Sequence, residues 1–373
     1  MSDQNLYERY HRQIILPELG EEGQQKLFFA KVLVIGAGGL GCPALQYLTA
    51  AGIGTIGIVD DDTVALNNLH RQVLYSVNDI GLSKAERATH ILQQLNPDIK
   101  IISYNERLEN QNALMLFEEF DILIDGTDNF STRYMINDAC VLLNKPLVYG
   151  AISQFEGQVS VFGNRNDEDV NYRDIFPDPP KDGEVLNCAE AGVLGVLPGI
   201  IGTMMANETI KLITGIGEPL INQLFTYNAL NNQVYQLNLS ARKETRSLIP
   251  KDGRAFLQMD YVWLCASPVQ QSEIGSDIFN DMISNGNVDV IDVREPHEMP
   301  AVNEFKHLKI PLAQLSDNSS LIKSGNIIAF CQSGKRSLQA AKILSGIFGD
   351  TKNVYSLRGG IVQWKQDRAK QPV

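Results

Sequence analysis

Residues 31–60, KVLVIGAGGLGCPALQYLTAAGIGTIGIVD, decide the fold of the first part of this chain. An apolar run leads into a glycine-rich turn, an amphipathic stretch and a second apolar run, which predicts one strand–helix–strand unit. The same alternation continues as far as the strand-like PLVYGAI at residues 146–152. Repeated alternation of strands and helices is typical of α/β domains, so we expect a doubly wound, parallel sheet.

The rest of the chain divides at a stretch of mixed character. After Gly157, three strand-like segments flank an apolar, helix-like stretch, and we expect these strands to pair antiparallel. Residues 241–268 are poorly periodic and are predicted to be a linker. A smaller α/β unit is predicted beyond them, so the expected domains are residues 1–240 and 269–373.

Length and charge restrict the classes of function. A chain of 373 residues is too long for one ordinary core, which favours two domains. Residues 1–250 carry 18 Lys and Arg against 31 Asp and Glu, a balance of −13, whereas residues 251–373 carry 14 and 13, a balance of +1. The acidic first part argues against nucleic-acid binding, which needs a basic surface.

The cysteines and apolar segments favour a reducing, aqueous compartment. No two cysteines form a C-x-x-C pair, the first residues lack a signal-peptide pattern, and the longest apolar stretch is interrupted by proline and glycines. We therefore expect a cytoplasmic protein with no disulfide framework and no membrane span. The five cysteines are Cys42, Cys140, Cys188, Cys265 and Cys331.

The glycine turn after the first strand predicts a nucleotide site. Gly36, Gly38 and Gly41 form G-x-G-x-x-G at the start of a helix, where glycines let backbone N–H groups approach a phosphate. Asp60 ends the next strand, a position suited to a ribose hydroxyl. On these residues alone an NAD-dependent dehydrogenase is the default interpretation, and glycines used only for tight packing are the alternative.

Polar residues further along the chain fit ATP better than NAD. Arg71 in NNLHRQ and Lys84 in GLSKAE supply two cations, and Asp128 follows the strand-like DILID. When a carboxylate attacks the α-phosphate of ATP, negative charge concentrates on phosphate oxygens, which cations and a carboxylate-bound Mg²⁺ stabilise. A hydride-transfer site needs no such set, although ordinary surface cations remain the alternative for Arg71 and Lys84.

These motifs resemble the ubiquitin-activating-enzyme-like superfamily. The matching stretches include NNLHRQVLYS, LIDGTDNFSTRYMIND and NCAEAGVLGVLPGIIGTMMANETIKLITG, and the closest likeness is to the bacterial MoeB and ThiF adenylyltransferases, over residues 7–240. Members adenylate the C-terminal Gly-Gly of small ubiquitin-like sulfur-carrier proteins. The resemblance therefore implies a Rossmann-like adenylation domain that uses ATP and acts on such a carrier.

The resemblance also implies roles for individual residues. Glycines of the turn would cradle ATP, Asp60 would bind its ribose, and Asp128 would hold Mg²⁺. Arg12, in YHRQIIL, matches an arginine that the family's dimer supplies to the partner's ATP, which implies a homodimer with Arg12 acting in trans. Arg71 and Asp128 would be catalytic, and the whole implied nucleotide set is Gly36, Gly38, Gly39, Gly41, Asp60, Asn68, Arg71, Lys84, Asp128 and Arg12.

Two positions depart from the pattern or leave it open. Bacterial relatives hold a structural zinc on two C-x-x-C pairs, but the first pair would fall at residues 171–174, NYRD, which lack sulfur, so we expect no zinc. Cys188, in NCAEAG, lies where some relatives carry a cysteine that bonds covalently to the carrier. The alternative is a small residue at the start of a buried helix. Cys42 and Cys140 lie in helical apolar patterns and are expected in the core.

A second site is predicted at residues 327–337, IIAFCQSGKRS. Cys331 ends an apolar strand, and the loop after it can turn its N–H groups inward as an anion nest at the start of a helix. The nest, Lys335 and Arg336 favour the thiolate over the thiol. The C-x4-R spacing is one residue shorter than the C-x5-R of tyrosine phosphatases and suits a persulfide better, whereas a cysteine that only fills the core is the alternative.

The loop and its surroundings resemble a rhodanese sulfurtransferase domain over residues 270–373. The matches are VIDVREPHE, HLKIPL, CQSGKRS and LRGGIVQW. The resemblance implies that Cys331 carries the sulfane sulfur in a catalytic loop that includes Arg336, while Asp292 and Arg294 brace the fold. The segment after VREPHE lacks the family's usual Gly-His-Ile.

Together the two resemblances predict a fused adenylyltransferase and sulfurtransferase. ATP would activate the carrier's terminal carboxylate, and persulfide sulfur from Cys331 would yield the thiocarboxylate, directly or through Cys188. A sulfur donor such as a cysteine desulfurase is expected, whereas the pathway, for molybdenum cofactor, thiamine, cysteine or tRNA thiolation, stays open. The alternatives are an NAD-dependent oxidoreductase fused to a rhodanese domain and a non-catalytic module that docks carriers.

Overall fold

The computed structural model describes residues 3–166, 168–179, 192–264, 273–286 and 288–370. Within them the chain forms two compact units, one made of residues 3–179 and 192–261 and the other beginning at residue 262. No helix among the described residues is both long and apolar enough to span a membrane.

The first unit is built on an eight-stranded mixed sheet. Its strands are β1 (Lys31–Ile35), β2 (Thr55–Val59), β3 (Lys100–Tyr104), β4 (Ile122–Asp125), β5 (Leu147–Ser153), β6 (Glu156–Phe162), β7 (Gln223–Asn228) and β8 (Gln233–Asn238). They lie in the order β3-β2-β1-β4-β5-β6-β7-β8, with the first five parallel and the last three joined antiparallel. The predicted doubly wound sheet with an antiparallel extension is confirmed.

Helices connect the parallel strands and cover the sheet. They are α1 (Asp3–Ile14), α2 (Gly20–Phe29), α3 (Gly41–Ala51), α4 (Lys84–Leu95), α5 (Asn110–Glu118), α6 (Phe130–Leu143), α7 (Tyr172–Ile175) and α8 (Leu197–Thr214). The apolar α8 packs closely on α3, because a Cβ at Gly202 would lie 2.2 Å from the carbonyl oxygen of Leu40. Strands β1, β2 and β4 are buried almost throughout, which explains why their sequences are continuous apolar runs.

The strand order places a crevice at the carboxyl ends of the strands, beside β1. β1 pairs with β2 on one side and with β4 on the other, so the chain winds away from β1 in both directions and the connecting segments separate there. Gly36 follows β1, Asp60 follows β2 and Asp128 lies just past β4. Three of the predicted nucleotide positions therefore meet at the carboxyl ends of adjacent strands.

The described residues of the predicted linker, 241–264, include the short helices α9 (Lys243–Arg246), α10 (Gly253–Gln258) and α11 (Tyr261–Leu264). Their residues as far as Tyr261 belong to the first unit. The Asn110 amide donates to the carbonyl oxygens of Phe256 and Met259 at 2.8 and 2.7 Å, and the Tyr261 hydroxyl donates to Asp138 at 2.8 Å. The chain is thus held to the first unit by hydrogen bonds until Tyr261.

Among its described residues, the second unit has a five-stranded parallel sheet and three α-helices that begin after residue 272. In chain order its elements are β9 (Glu273–Ile274), α12 (Ser276–Ser284), β10 (Asp289–Asp292), β11 (Leu308–Lys309), β12 (Asn326–Phe330), α13 (Lys335–Phe348), β13 (Asn353–Leu357) and α14 (Gly360–Lys370). The strand order β11-β10-β12-β13-β9 puts β12 at the centre, between two apolar clusters. The predicted small α/β domain is confirmed, and Cys331 lies between its central strand and α13.

Candidate active sites

The turn between β1 and α3 has a shape that only glycine allows. Gly36 has a φ of +90°, and a Cβ there would lie 2.9 Å from the carbonyl oxygen of Gly126. A Cβ at Gly41 would lie 1.9 Å from the carbonyl oxygen of Gly36. The helix that follows begins without a side-chain cap at Leu40, so the first N–H groups of α3 have no side-chain acceptor at that position. Such N–H groups are suited to a phosphate.

A cleft of about 410 Å³ opens beside this turn, at the carboxyl ends of the strands. Most of the predicted nucleotide residues lie on its wall: Gly36, Gly38, Gly39, Asp60, Arg71, Lys84 and Asp128. Gly41 lies behind the turn, in contact with Gly36. Asn68 is half-buried and its amide donates to the Asn67 side chain at 3.2 Å, and Arg12 is exposed on α1. Neither Asn68 nor Arg12 lines the cleft within the single chain.

The two predicted cations differ in environment. Lys84 is 5% exposed and its ammonium group donates to the exposed Asp62 carboxylate at 2.9 Å. Arg71 contacts no carboxylate among the described residues: its Nη1 donates to the Asn67 carbonyl oxygen at 3.1 Å and lies 2.9 Å from Nε2 of His70. A pair with an exposed carboxylate is weak, so both cations remain available to a strongly charged anion.

The two predicted acidic residues also differ. Asp60 accepts hydrogen bonds from the Ala37 N–H at 2.8 Å and the Asp62 N–H at 2.9 Å. Burial raises the pKa of Asp60, and Lys84 acts in the opposite direction. Asp128 is exposed at the rim of the cleft, and no hydrogen bond to its carboxylate is found among the described residues. Asp60 is therefore fixed by the turn, whereas the Asp128 carboxylate is open to a ligand.

Two cleft residues outside the predicted set carry buried polar atoms with no partner. Within the part of the chain that the structure describes, Oε1 of Gln72, which is 4% exposed, accepts no hydrogen bond, and Nε of Arg133, which is 8% exposed, donates none. Gln72 stands next to Arg71 in the motif NNLHRQ, so the motif contained the signal. Buried polar atoms normally find partners, so an unpaired oxygen on the wall of a cleft indicates a ligand with a donor or a bound water.

Arg133 holds the loop that carries Asp128. Its Nη2 donates to the Thr127 carbonyl oxygen at 2.9 Å, while the Asp125 carboxylate accepts from the Thr127 N–H at 2.9 Å and the Thr127 hydroxyl at 2.6 Å. The guanidinium also lies over the rings of Phe130 and Tyr149. The position of the Asp128 loop thus depends on a buried cation in α6, which the sequence pattern did not single out.

The described residues contain no group of three or more His, Cys, Asp or Glu side chains arranged to hold a metal. A magnesium ion that arrives with ATP needs few protein ligands, because phosphate oxygens and water fill most of its coordination positions. The unpartnered Asp128 carboxylate at the mouth of the cleft fits one such position. The site is thus compatible with magnesium bound together with a nucleotide.

Hydrogen bonds join Asn171 and Asp174, the two positions where the first C-x-x-C pair of a zinc site would fall. Asp174 accepts from the Asn171 N–H at 2.9 Å and from the Asn171 amide at 2.8 Å, which caps the short helix α7. Its other oxygen accepts from the Arg242 N–H at 3.0 Å and from the Thr245 hydroxyl. Both oxygens of Asp174 are therefore used within the protein, and the absence of zinc stays a prediction.

Buried charges beside this segment are paired. Arg173 donates through Nε and Nη2 to both oxygens of Asp138, at 2.8 and 2.7 Å, and Tyr261 donates to the same carboxylate. Arg173 is 1% exposed and Asp138 is fully buried. Burial raises the pKa of Asp138, and the bonds from Arg173 oppose that effect. This network joins α6, α7 and the start of α11.

In the second unit, Cys331 lies at the bottom of its loop. The residue is 1% exposed, and its sulfur accepts from the Gly334 N–H at 3.2 Å. The Ser337 hydroxyl lies 3.6 Å from the same sulfur, and the buried Ser356 hydroxyl donates to Ser337 at 2.9 Å. Gly334 has a φ of +91°, which turns the loop back around the sulfur. The inward-facing N–H expected of an anion nest is therefore present.

The cations around this loop are mostly paired. Arg336 donates through Nη1 and Nη2 to the two oxygens of Glu298, both at 2.6 Å. Arg294 donates through Nε and Nη2 to the two oxygens of Asp292, at 2.8 and 2.7 Å. Lys335 is exposed and takes part in no ion pair within the part of the chain that the structure describes.

The remaining cysteines have different positions. Cys42 and Cys140 are fully buried, and burial raises the pKa of both thiols, that of Cys42 to about 12. Such thiols are poor nucleophiles and behave as core residues. Cys188, the candidate for a covalent bond to the carrier, and Cys265 lie outside the described residues.

Comparison with known proteins identifies both units. Residues 10–248 match the ThiF family and residues 276–367 match the rhodanese-like domain. A relative from Mycobacterium tuberculosis, the probable adenylyltransferase/sulfurtransferase MoeZ, is 42% identical over 95% of this chain and 92% of its own length. The adenylyltransferase and sulfurtransferase MOCS3 of Arabidopsis thaliana is 37% identical over 98% of this chain and 84% of its own.

Other similarities concern the first unit. The sulfur carrier protein adenylyltransferase of Thermus thermophilus is 51% identical over 62% of this chain and 87% of its own length. The crystal structure of Escherichia coli MccB with ATP shares the fold, with a TM-score of 0.55 and 22% identity over 63% of this chain and 72% of that one. Fold and sites therefore define a two-domain α/β protein with a nucleotide cleft and a cysteine loop. The chain belongs to the ThiF family and carries a rhodanese-like domain after it.

Proposed function

We propose that the chain activates a ubiquitin-like sulfur carrier and converts it to a thiocarboxylate. ATP adenylates the carrier's C-terminal Gly-Gly in the first unit, and Cys331 in the second unit supplies sulfur as a persulfide. The observation that carries the proposal is the cleft itself, where a glycine turn, the buried Lys84 and the open Asp128 carboxylate converge. The proposal is supported by relatives that are similar over nearly the whole chain and are named adenylyltransferase and sulfurtransferase.

In the adenylation step, the carrier's carboxylate attacks the α-phosphate, the bond to the β-phosphate breaks and pyrophosphate leaves. The N–H groups at the start of α3 approach the phosphates, and Lys84 and Arg71 neutralise the charge that grows on the phosphate oxygens. Lys84 leaves Asp62 for the phosphate, because the exposed carboxylate is the weaker partner. Magnesium held by Asp128 would add positive charge at the phosphate oxygens.

In the transfer step, the terminal sulfur of the Cys331 persulfide attacks the acyl carbon and AMP leaves. The product is an acyl disulfide, in which one sulfur of the former persulfide is bonded to the carrier. A thiolate then attacks the Cys331 sulfur, the S–S bond breaks and the carrier leaves as a thiocarboxylate, while the two remaining sulfurs form a disulfide. An external thiol serves this step in the direct route. In the alternative route the carrier is first bonded to Cys188 as a thioester with release of AMP, and the persulfide sulfur then displaces the Cys188 thiolate. A Cys188→Ser variant distinguishes the routes, because only the second makes turnover depend on this residue.

We further propose that the chain acts as a homodimer in which Arg12 reaches the partner's nucleotide. Arg12 is exposed and does not line the cleft of its own chain, which agrees with action in trans. The test mixes two inactive variants, Arg12→Ala and Asp128→Asn, under conditions that exchange subunits. Mixed dimers then contain one intact site, so pyrophosphate exchange should return. If exchange does not return in mixed dimers, Arg12 does not act in trans.

The function is tested by incubation with ATP, magnesium, a persulfide donor and carriers that end in Gly-Gly. A cysteine desulfurase with cysteine is the proposed physiological donor. Mass spectrometry should show the carrier first as the adenylate, when the donor is omitted, and then as the thiocarboxylate. Hydride transfer to NAD would support an oxidoreductase instead, and carrier binding without AMP release would support a docking module.

A further inference from the structure

The proposed sulfur transfer gives no role to Glu298, whose carboxylate covers the arginine of the cysteine loop. Nη1 and Nη2 of Arg336 each donate to one oxygen of Glu298 at 2.6 Å. Glu298 is fixed in turn, because the Glu295 N–H donates to its Oε1 at 2.8 Å. The side chains of Arg336 and Glu298 are 37% and 18% exposed, so the pair lies at the surface of the loop.

A pair with two parallel hydrogen bonds occupies the planar fork with which arginine binds an anion. Arg294, which lies over the ring of Phe330 next to Cys331, is also occupied: it binds Asp292 through two nitrogens and the Pro300 carbonyl oxygen through the third. Among the described cations of this loop, Lys335 is left to attract a ligand. The loop therefore offers a backbone nest with little net positive charge around it.

Two chemical classes of sulfur donor can load a cysteine of this kind. With thiosulfate, the Cys331 thiolate attacks the outer sulfur, the S–S bond breaks and sulfite leaves with the electron pair. With a cysteine persulfide, the thiolate attacks the terminal sulfur, the S–S bond breaks and the donor cysteine leaves as a thiolate that takes up the persulfide proton. Both reactions leave Cys331 as a persulfide, but thiosulfate brings two negative charges to the loop, which cations have to offset.

We propose that Glu298 is a specificity-determining residue that holds Arg336 away from small dianions, so that the loop takes its sulfur from a cysteine persulfide carried by a protein. The effect has two parts: the arginine fork is occupied, and the carboxylate itself repels a dianion. The proposal rests on the role proposed above for Cys331 and names the donor class for that same site.

The test compares two probes, thiosulfate and cysteine persulfide, in the full-length protein. The Glu298→Gln variant frees the Arg336 fork, so kcat/KM for Cys331 persulfidation by thiosulfate should rise about tenfold, whereas the value for cysteine persulfide should change less than about twofold. The matched control is Glu304→Gln, which removes another partly exposed carboxylate of the same unit, paired with Lys365 at 2.8 Å. The control should leave the ratio of the two values at its wild-type level.

A second variant separates specificity from folding. If the gain arises from the freed guanidinium, adding Arg336→Gln to Glu298→Gln should return the ratio of kcat/KM for thiosulfate to kcat/KM for cysteine persulfide to its wild-type value, even where both rates fall. An unchanged ratio in Glu298→Gln, or an equal loss with both probes, overturns the proposal, because the carboxylate would then only support the loop. If wild-type Cys331 accepts sulfur from neither probe, the proposed function fails as well, and this outcome is distinct from turnover with an unchanged ratio.

Discussion

The two sites differ in how their charged and polar groups are paired. In the cleft of the first unit, Lys84 is paired with one exposed carboxylate, and an oxygen of Gln72 has no partner among the described residues. Beside the cysteine loop, Arg336 and Arg294 are each bound to a carboxylate through two hydrogen bonds. In the first arrangement Lys84 has only a weakly bound partner, so an anion with several charges can displace that partner. The second is complete without one, so its sulfur is held by a backbone N–H and not by free cations. Two sites on one chain thus handle charge in opposite ways, in keeping with a triphosphate in one and a single sulfur in the other.

The largest effect on activity is expected in the cleft of the first unit, at Asp128. Asp128→Asn removes the carboxylate proposed to hold magnesium, so ATP–pyrophosphate exchange should fall on the order of 10²- to 10³-fold, as when one charge-stabilising group is lost from an active site. Persulfidation of Cys331 in the same variant is the internal control and should stay at the wild-type rate. Exchange at the wild-type rate would remove Asp128 from the machinery.

A smaller loss is expected from Arg133→Lys, which keeps the charge but not the fork that binds the Thr127 carbonyl oxygen. The Asp128 loop should become less well positioned, so kcat for exchange should fall about tenfold and KM for magnesium should rise. Arg165→Lys, at an exposed position of the same unit, is the matched control and should change neither value. Equal kcat and KM in Arg133→Lys and the wild type would show that the contact does not position the loop.

Removing a hydrogen bond to the buried Arg173–Asp138 pair should lower the stability of the first unit without changing turnover. Tyr261→Phe removes a hydroxyl that donates to the buried Asp138, so the free energy of unfolding of the first unit should fall by about 1–3 kcal/mol. Tyr235→Phe, at an exposed tyrosine on β8, should lie within about 0.5 kcal/mol of the wild type. Denaturant unfolding measures both, and equal losses in the two variants would contradict the role assigned to the Tyr261–Asp138 bond.

The smallest effect concerns acid stability of the second unit. The bonds from Arg336, and then the Glu295 N–H, lower the pKa of Glu298 to about 2. Because the folded pKa is below the unfolded value of about 4.3, the stabilisation is fully present above that value and is lost as pH falls towards 2. The thermal midpoint of Glu298→Gln should therefore change less than that of the wild type across this window, and identical pH profiles would contradict the pairing.

Much of the fold and of the cleft follows from local sequence. The glycine turn, Asp60 and Asp128 stand next to strands whose apolar runs are unambiguous, and the strand order brings them together at the carboxyl ends of the strands. Lys84 begins α4 and lines the same cleft. Their roles towards ATP and magnesium stay predictions. Arg133 was missed because its importance depends on one contact with a backbone oxygen, which no spacing reveals.

The pairing of charges could not be read from the sequence either. The loop CQSGKRS indicates two free cations, but Glu298, 38 positions before Arg336, comes next to it only in the folded unit. Likewise, the poor periodicity of 241–268 gives no sign that Tyr261 reaches the buried Asp138. In both cases the partner is distant in sequence, and only the tertiary structure brings the two groups together.

The most direct test of the fused reaction follows one carrier ending in Gly-Gly through the wild type and two variants. The wild type, with ATP, magnesium and a persulfide donor, should convert the carrier to its thiocarboxylate. Cys331→Ala should stop at the adenylate while pyrophosphate exchange continues, and Asp128→Asn should accept sulfur on Cys331 but leave the carrier unmodified. Thiocarboxylate formed by Cys331→Ala at the wild-type rate would contradict the account.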